Sequence, residues 1–285
     1  MAKFTEKESN TLRHLDKLNK YCKKHFINES VLLEGLELKE RFIVTYFIYG
    51  LSFSEGVHVL VRNNKPRAAI PSLRALYESW VNTRLLLVSD NSVWVYNLEA
   101  IAAKHTIKDG KHLLENNDYT KKPEAKKVIE NAINDAEYRL KNAKSLFKEL
   151  PIIEKVITPN NNQFDRDLKV FEKCKIIDYY DKPKLKKSSM VFNYETVYRH
   201  FSDVSHVGPN QMSDAFRRSG NKIEVDFNGK LGVNMTLMSI RSTYILQISM
   251  LEIFKKNISK ISKTIPKDIS NYANTAFLDE LIVHD

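Results

Sequence analysis

Arg199, Ser202 and His206 fall at i, i+3 and i+7 in the stretch Arg199-His200-Phe201-Ser202-Asp203-Val204-Ser205-His206. At about 100° per residue, helical geometry puts the three on one face. RNA cleavage by the ribose 2′-hydroxyl needs a base for that proton, an acid for the leaving 5′-oxygen and a cation on the phosphate. An imidazole titrates near neutrality and serves as either acid or base. A guanidinium stays charged and grips phosphate with a planar fork of donors. Arg199 and His206 supply these groups two turns apart, and two copies across a helix–helix dimer supply acid and base together. The same row also reads as the polar side of an ordinary helix, with a histidine near a C-terminus that favours a cation anyway.

A second polar row lies upstream. Arg67 and Arg74 are seven apart and Arg74 and Glu78 four apart, so all three lie near one helical face. Ala69, Leu73, Leu76 and Trp80 fill the other. Pro71 cannot donate to the carbonyl of Arg67, and a local kink is expected there. As a functional row, Arg74 binds phosphate and Glu78 orients a histidine or arginine of the Arg199–His206 helix. As a structural row, Arg74 and Glu78 are an i,i+4 ion pair worth about 0.2–0.5 kcal/mol. The flanking helices are so apolar that this one is expected to be central, where a polar row must find partners.

The remaining candidates are sparser. Glu55 and His58 sit in an apolar helix and read as a core contact. His105 and His112 share a face but have no carboxylates at metal-ligand spacing. There is no glycine-rich phosphate loop, serine nucleophile elbow or HExxH, so neither a metal nor a cofactor is expected.

The elements that must position these residues are helices. With only 8 Gly and 8 Pro in 285 residues, turn punctuation is scarce. Leu12, Leu15, Leu18 and Tyr21/Cys22 form a helical stripe within residues 5–25. Further helical patterns run over about 38–61, from Pro66 to about 88, from the link Ser89-Asp90-Asn91-Ser92 to about 115, and from Pro123 to about 150. The charged 123–150 helix keeps a helical period of apolar residues and is expected to pair antiparallel with its neighbour. Residues 151–189 are least regular, with a helix over about 165–180 and a basic run at Lys182, Lys184, Lys186 and Lys187. The Arg199 helix starts near Tyr194 and stops at Gly208-Pro209. Ile223, Val225 and Phe227 alternate with polar residues between turn signals, which predicts a small hairpin over about 214–229, with 214–218 as the partner strand. A last long helix covers about 231–261. The predicted fold is therefore an all-α bundle with one β-hairpin insertion. Its organisation reads as an N-terminal helix (1–30), one bundle (31–265) and a weakly structured C-terminal tail (266–285).

Lys and Arg total 45 against 35 Asp and Glu, a net charge of +10. That balance favours RNA or another polyanion as partner. A Lys-rich composition from an AT-rich genome produces the same balance, and the lysines are spread along the chain. Residues 42–61 come nearest to a membrane span, but Glu55 and His58 interrupt them. The first residues lack the apolar core of a secretory signal, and two cysteines, Cys22 and Cys174, make no disulfide framework. The expectation is a cytoplasmic protein with no membrane contact.

Arg199, six residues, then His206 resembles the Arg-X(4–6)-His signature of the HEPN superfamily, in which a polar residue, here His200, follows the arginine. With 12 Arg and 8 His in the chain, about one such match arises by chance, so its weight comes from the helical context. A broader resemblance, over roughly residues 40–250, is to a widespread bacterial family of unknown function. Its marks are an Arg-x-x-x-Glu helix (Arg74, Glu78) and a Tyr-x-x-x-Ser-x-x-x-His helix (Tyr198, Ser202, His206). The first resemblance implies an all-helical, metal-independent ribonuclease, acting as a toxin or phage-defence effector, with Arg199 and His206 catalytic. Arg67, Arg74, Glu78, Tyr198, His200, Ser202 and Asp203 would support the site. It also implies a homodimer and an antitoxin or NTPase partner. The alternative is a non-catalytic helical module that binds a nucleotide, RNA or protein through the same groove.

Overall fold

Thr5 begins the first helix, α1 (Glu6–Cys22), with a capping box: the Glu8 amide donates to the Thr5 hydroxyl (3.2 Å) and the Thr5 amide donates to the Glu8 carboxylate (2.7 Å). A π turn (Lys23–Ile27) continues it. Glu40 reaches back to the Glu37 amide to start α2 (Leu38–Arg62). Proline at the first position opens α3 (Pro66–Leu85), which runs on through an exposed Pro71. Next come α4 (Val93–Glu115), α5 (Pro123–Phe147) and α6 (Val170–Asp181). Ser189 caps the short α7 (Met190–Asn193), and a π turn (Tyr194–Tyr198) follows. Strands β1 (Phe216–Ser219) and β2 (Lys222–Val225) pair antiparallel, Phe216 opposite Val225 and Ser219 opposite Lys222. Helix α8 (Val233–Asn257) and a helical turn over 267–272 come last. The computed structural model describes residues 4–27, 35–88, 93–115, 121–147, 167–183, 189–199, 216–219, 222–225, 233–258 and 265–272. The fold class is all-α, as the helical periods predict.

The chain divides into two compact units, Met1–Arg84 with Pro183–Asp285, and Leu85–Lys182. Apolar periodicity marks helices without saying which of them share a core, so this division has no mark of its own in the sequence. In the first unit, the stripe of α1 (Leu12, Leu15, Leu18, Cys22) is buried, and α1 packs on α8 and α2. Phe47 and Phe254 stack at 4.3 Å, with Phe26 edge-on to both. A polar thread crosses this core: Ser54 Oγ donates to Asn19 Oδ1 (2.8 Å), and Gln247 approaches the Cys22 thiol. Gly50 lets α2 close on α8, since a Cβ there would lie 2.8 Å from Met250 Sδ. By length and composition α2 is also long and apolar enough to cross a membrane; Ile43, Val44, Phe47, Leu51, Val57 and Val61 on it are buried.

The turn at 267–272 falls inside the segment that reads as a weak tail, yet it is seated on α1 and α8. Tyr244 Oη donates to the Ile269 carbonyl (2.6 Å), the Thr11 and Tyr272 hydroxyls share a hydrogen bond (2.7 Å), and Lys17 meets Asp268 (3.3 Å). These anchors are single side chains, so no apolar period announces them.

The second unit is built on α4 and α5. Glu99 pairs with Arg139 (2.9 Å), and Gly110 faces Ile133, so numbers rise along one helix as they fall along the other and the pair is antiparallel. A Cβ at Gly110 would lie 2.7 Å from Ile133 Cγ1. In α6, Cys174, Ile176 and Ile177 are buried.

Candidate functional site

Helix α3 presents Arg74 and Glu78 one turn apart, as their spacing requires. Its opposite side is buried: Ala69, Leu73 and Leu76 are fully enclosed, and Trp80 donates its indole N–H to Ser249 of α8 (2.9 Å). Glu78 Oε1 accepts from Arg74 Nε at 3.0 Å. The third partner comes from 120 residues away. Tyr198 Oη donates to the same Glu78 oxygen (2.5 Å) and accepts from Arg74 Nε (3.0 Å). A carboxylate, a guanidinium and a phenol thus close a triangle that links α3 to the π turn.

Aromatic packing holds the phenol in place. Tyr198 is 4% exposed, while the Arg74 and Glu78 side chains keep 29% and 39% of their surface. Tyr194 stacks on Tyr198 one turn earlier (5.1 Å), Tyr77 of α3 meets its ring at 5.0 Å, and the Arg74 guanidinium carbon lies 5.5 Å from its centre. The π turn sets that register. The Arg199 amide donates to the Tyr194 carbonyl five residues back, so the turn holds one residue more than an α-turn; such turns recur at functional sites.

The electrostatics follow from the packing. Burial, together with the hydrogen bond and charge of Glu78, drives the Tyr198 phenol well above the usual tyrosine range, with Arg74 opposing. Burial pulls Arg74 down, but its bonds to Tyr198 and Glu78 outweigh that and leave it above its ordinary value. The phenol therefore stays protonated and the guanidinium charged at all ordinary pH. This triangle is a fixed structural brace rather than a proton shuttle.

The predicted residues separate into two groups. Arg74, Glu78 and Tyr198 come together as described. Arg67 is half-buried on α3, two turns before Arg74. Arg199 follows the π turn directly and is exposed. His200, Ser202, Asp203 and His206 lie outside the described residues. His58 is half-buried on α2, its pKa lowered chiefly by burial, and Glu55 beside it pairs with Lys23 (2.7 Å). His105 and His112 are both exposed on α4. Two members of the cluster, Tyr77 and Tyr194, were not singled out from the sequence. For Tyr194 a signal existed, since it precedes Tyr198 by four.

Residues 40–223 match the family of unknown function DUF5677, which is well over half of the chain and spans every candidate residue from Arg67 to His206. No curated protein matches the chain, and no solved structure does. The chain belongs to the family of unknown function DUF5677.

Proposed function

We propose that this family member is a HEPN-like, metal-independent endoribonuclease that acts as a toxin or phage-defence effector. In this reading Arg199 holds the scissile phosphate and His206 moves the proton. The observation that carries it is the Glu78–Tyr198–Arg74 triangle. It fixes the residue just before Arg199 to the polar row of α3, so an exposed guanidinium emerges beside a braced, cation-bearing surface. Charge supports the same reading. The second unit holds 17 Lys and Arg against 16 Asp and Glu, so nine of the ten net positive charges lie in the unit that carries Arg199. A polyanion is attracted to that unit before any specific contact forms.

The test is cleavage of structured RNA by the purified chain in EDTA. The expected products end in 2′,3′-cyclic phosphate, and His206→Ala abolishes them while the circular dichroism spectrum stays unchanged. One observation favours the second reading, a binding module that does not cut: Arg74, Glu78 and Tyr198 satisfy one another and leave no proton to move. That reading predicts RNA retention without products, unaffected by His206→Ala. A homodimer, and an antitoxin or NTPase as partner, belong to the first reading and are tested by sizing the chain alone and with neighbouring gene products.

A further inference from the structure

The first helix and the turn at 267–272 meet at a histidine. The His14 ring lies flat on the Tyr272 ring, with centroids 4.0 Å apart and planes 6° from parallel. Its Nδ1 is buried with no hydrogen-bond partner among the described residues. The other anchors, Thr11–Tyr272, Lys17–Asp268 and Tyr244–Ile269, surround this stack. We propose that the turn at 267–272 is a pH-responsive clasp, seated on α1 while the His14 imidazole is neutral and loosened when it takes a proton.

The groups facing the ring set the direction. From α1 itself come Arg13 and Lys17, both cationic; from the turn come Asp268 and Tyr272; from α8 comes Tyr244, packed edge-on to Tyr272 at 5.0 Å. An added proton at Nδ1 gains no acceptor there and meets two like charges. The tyrosine face attracts a cation, and Asp268 does too, but Asp268 is already engaged by Lys17. Burial first, then Lys17 and Arg13, hold the His14 pKa below 6.5, against Asp268. The seated form therefore binds fewer protons than the open form. Its advantage is complete above about pH 6.5 and is lost as pH falls through the lowered value.

Backbone amides report the opening directly, because Ile269 and Ser270 both donate to the Pro266 carbonyl (3.1 Å). Hydrogen exchange of the full-length protein, corrected for intrinsic rates, is compared at about pH 8 and about pH 5.5. The expected result is a several-fold rise in opening over 265–272 at the lower pH, and no rise in His14→Phe, which keeps a flat ring but cannot titrate. The same pH dependence in both proteins, or none in the wild type, overturns the proposal. Should His14→Phe fail to fold, an NMR titration of His14 in the wild type decides. A pKa below 6.5 supports the clasp, and one at or above 6.5 refutes it. The outcome is independent of whether the protein cuts RNA.

Discussion

Tyr198 serves two charged side chains with one oxygen, and that makes it the residue where the candidate site is most sensitive. Tyr198→Phe keeps the ring between Tyr77 and Tyr194 but removes both hydrogen bonds. Arg74 and Glu78 are partly solvated and recover some of the loss from water, so a cost of about 1–2 kcal/mol in urea unfolding is expected. If the brace positions Arg199, RNA affinity falls as well, while Thr196→Ala on the solvent side of the π turn leaves both unchanged. Cys22 makes a separate prediction. Burial pushes its thiol up to about 12, so at mild pH it is a protonated, enclosed group. A thiol reagent should label it only as fast as the chain unfolds. Its folded pKa lies above the unfolded one, so its contribution to stability is present below about pH 9 and fades as pH climbs toward 12.

At the scale of elements, two glycines give opposite expectations. Gly110 faces the branched carbons of Ile133 at the α4–α5 contact, so Gly110→Ala pushes two backbones apart and should cost about 1–3 kcal/mol by thermal or urea unfolding. Gly50 faces chiefly the flexible end of Met250 (2.8 Å), with Leu76 Cδ1 behind it at 3.3 Å. There the methionine can swing aside, and the helix gains about 1 kcal/mol of intrinsic preference, so Gly50→Ala should be nearly neutral. Thr5→Ala, which opens the capping box of α1, should cost about 1 kcal/mol. The helices themselves were legible in the sequence. Leu38, Pro66, the 89–92 link and Pro123 mark starts, and the apolar periods carry each helix to within a few residues of its end. The π turn was not legible, because one extra residue per turn leaves the apolar period almost intact.

For the whole molecule, charge is divided more sharply than the spread of lysines suggests. On the proposed reading, the logarithm of the RNA association constant should fall linearly with the logarithm of salt concentration, and Arg199→Gln should reduce that slope by about 1. Lys→Gln changes on α5 should leave it unaltered. Half of the candidate site was legible: Arg74 and Glu78 follow from spacing on one helix. The expected partner of Glu78 is a histidine or arginine of the Arg199 helix; the partner found is Tyr198, and no local pattern shows which side chains meet across 120 residues. The same long connection governs how the molecule is made. Helix α1 rests on α8, and all of the second unit is synthesised between them. A growing chain at about 5–20 residues per second thus carries the basic unit half-built until α8 has left the ribosome. A cell making this protein meets that charged surface in finished form only after the helix ending at Asn257 has been made, and ribosomes stalled before residue 233 yield chains lacking the helix on which α1 rests.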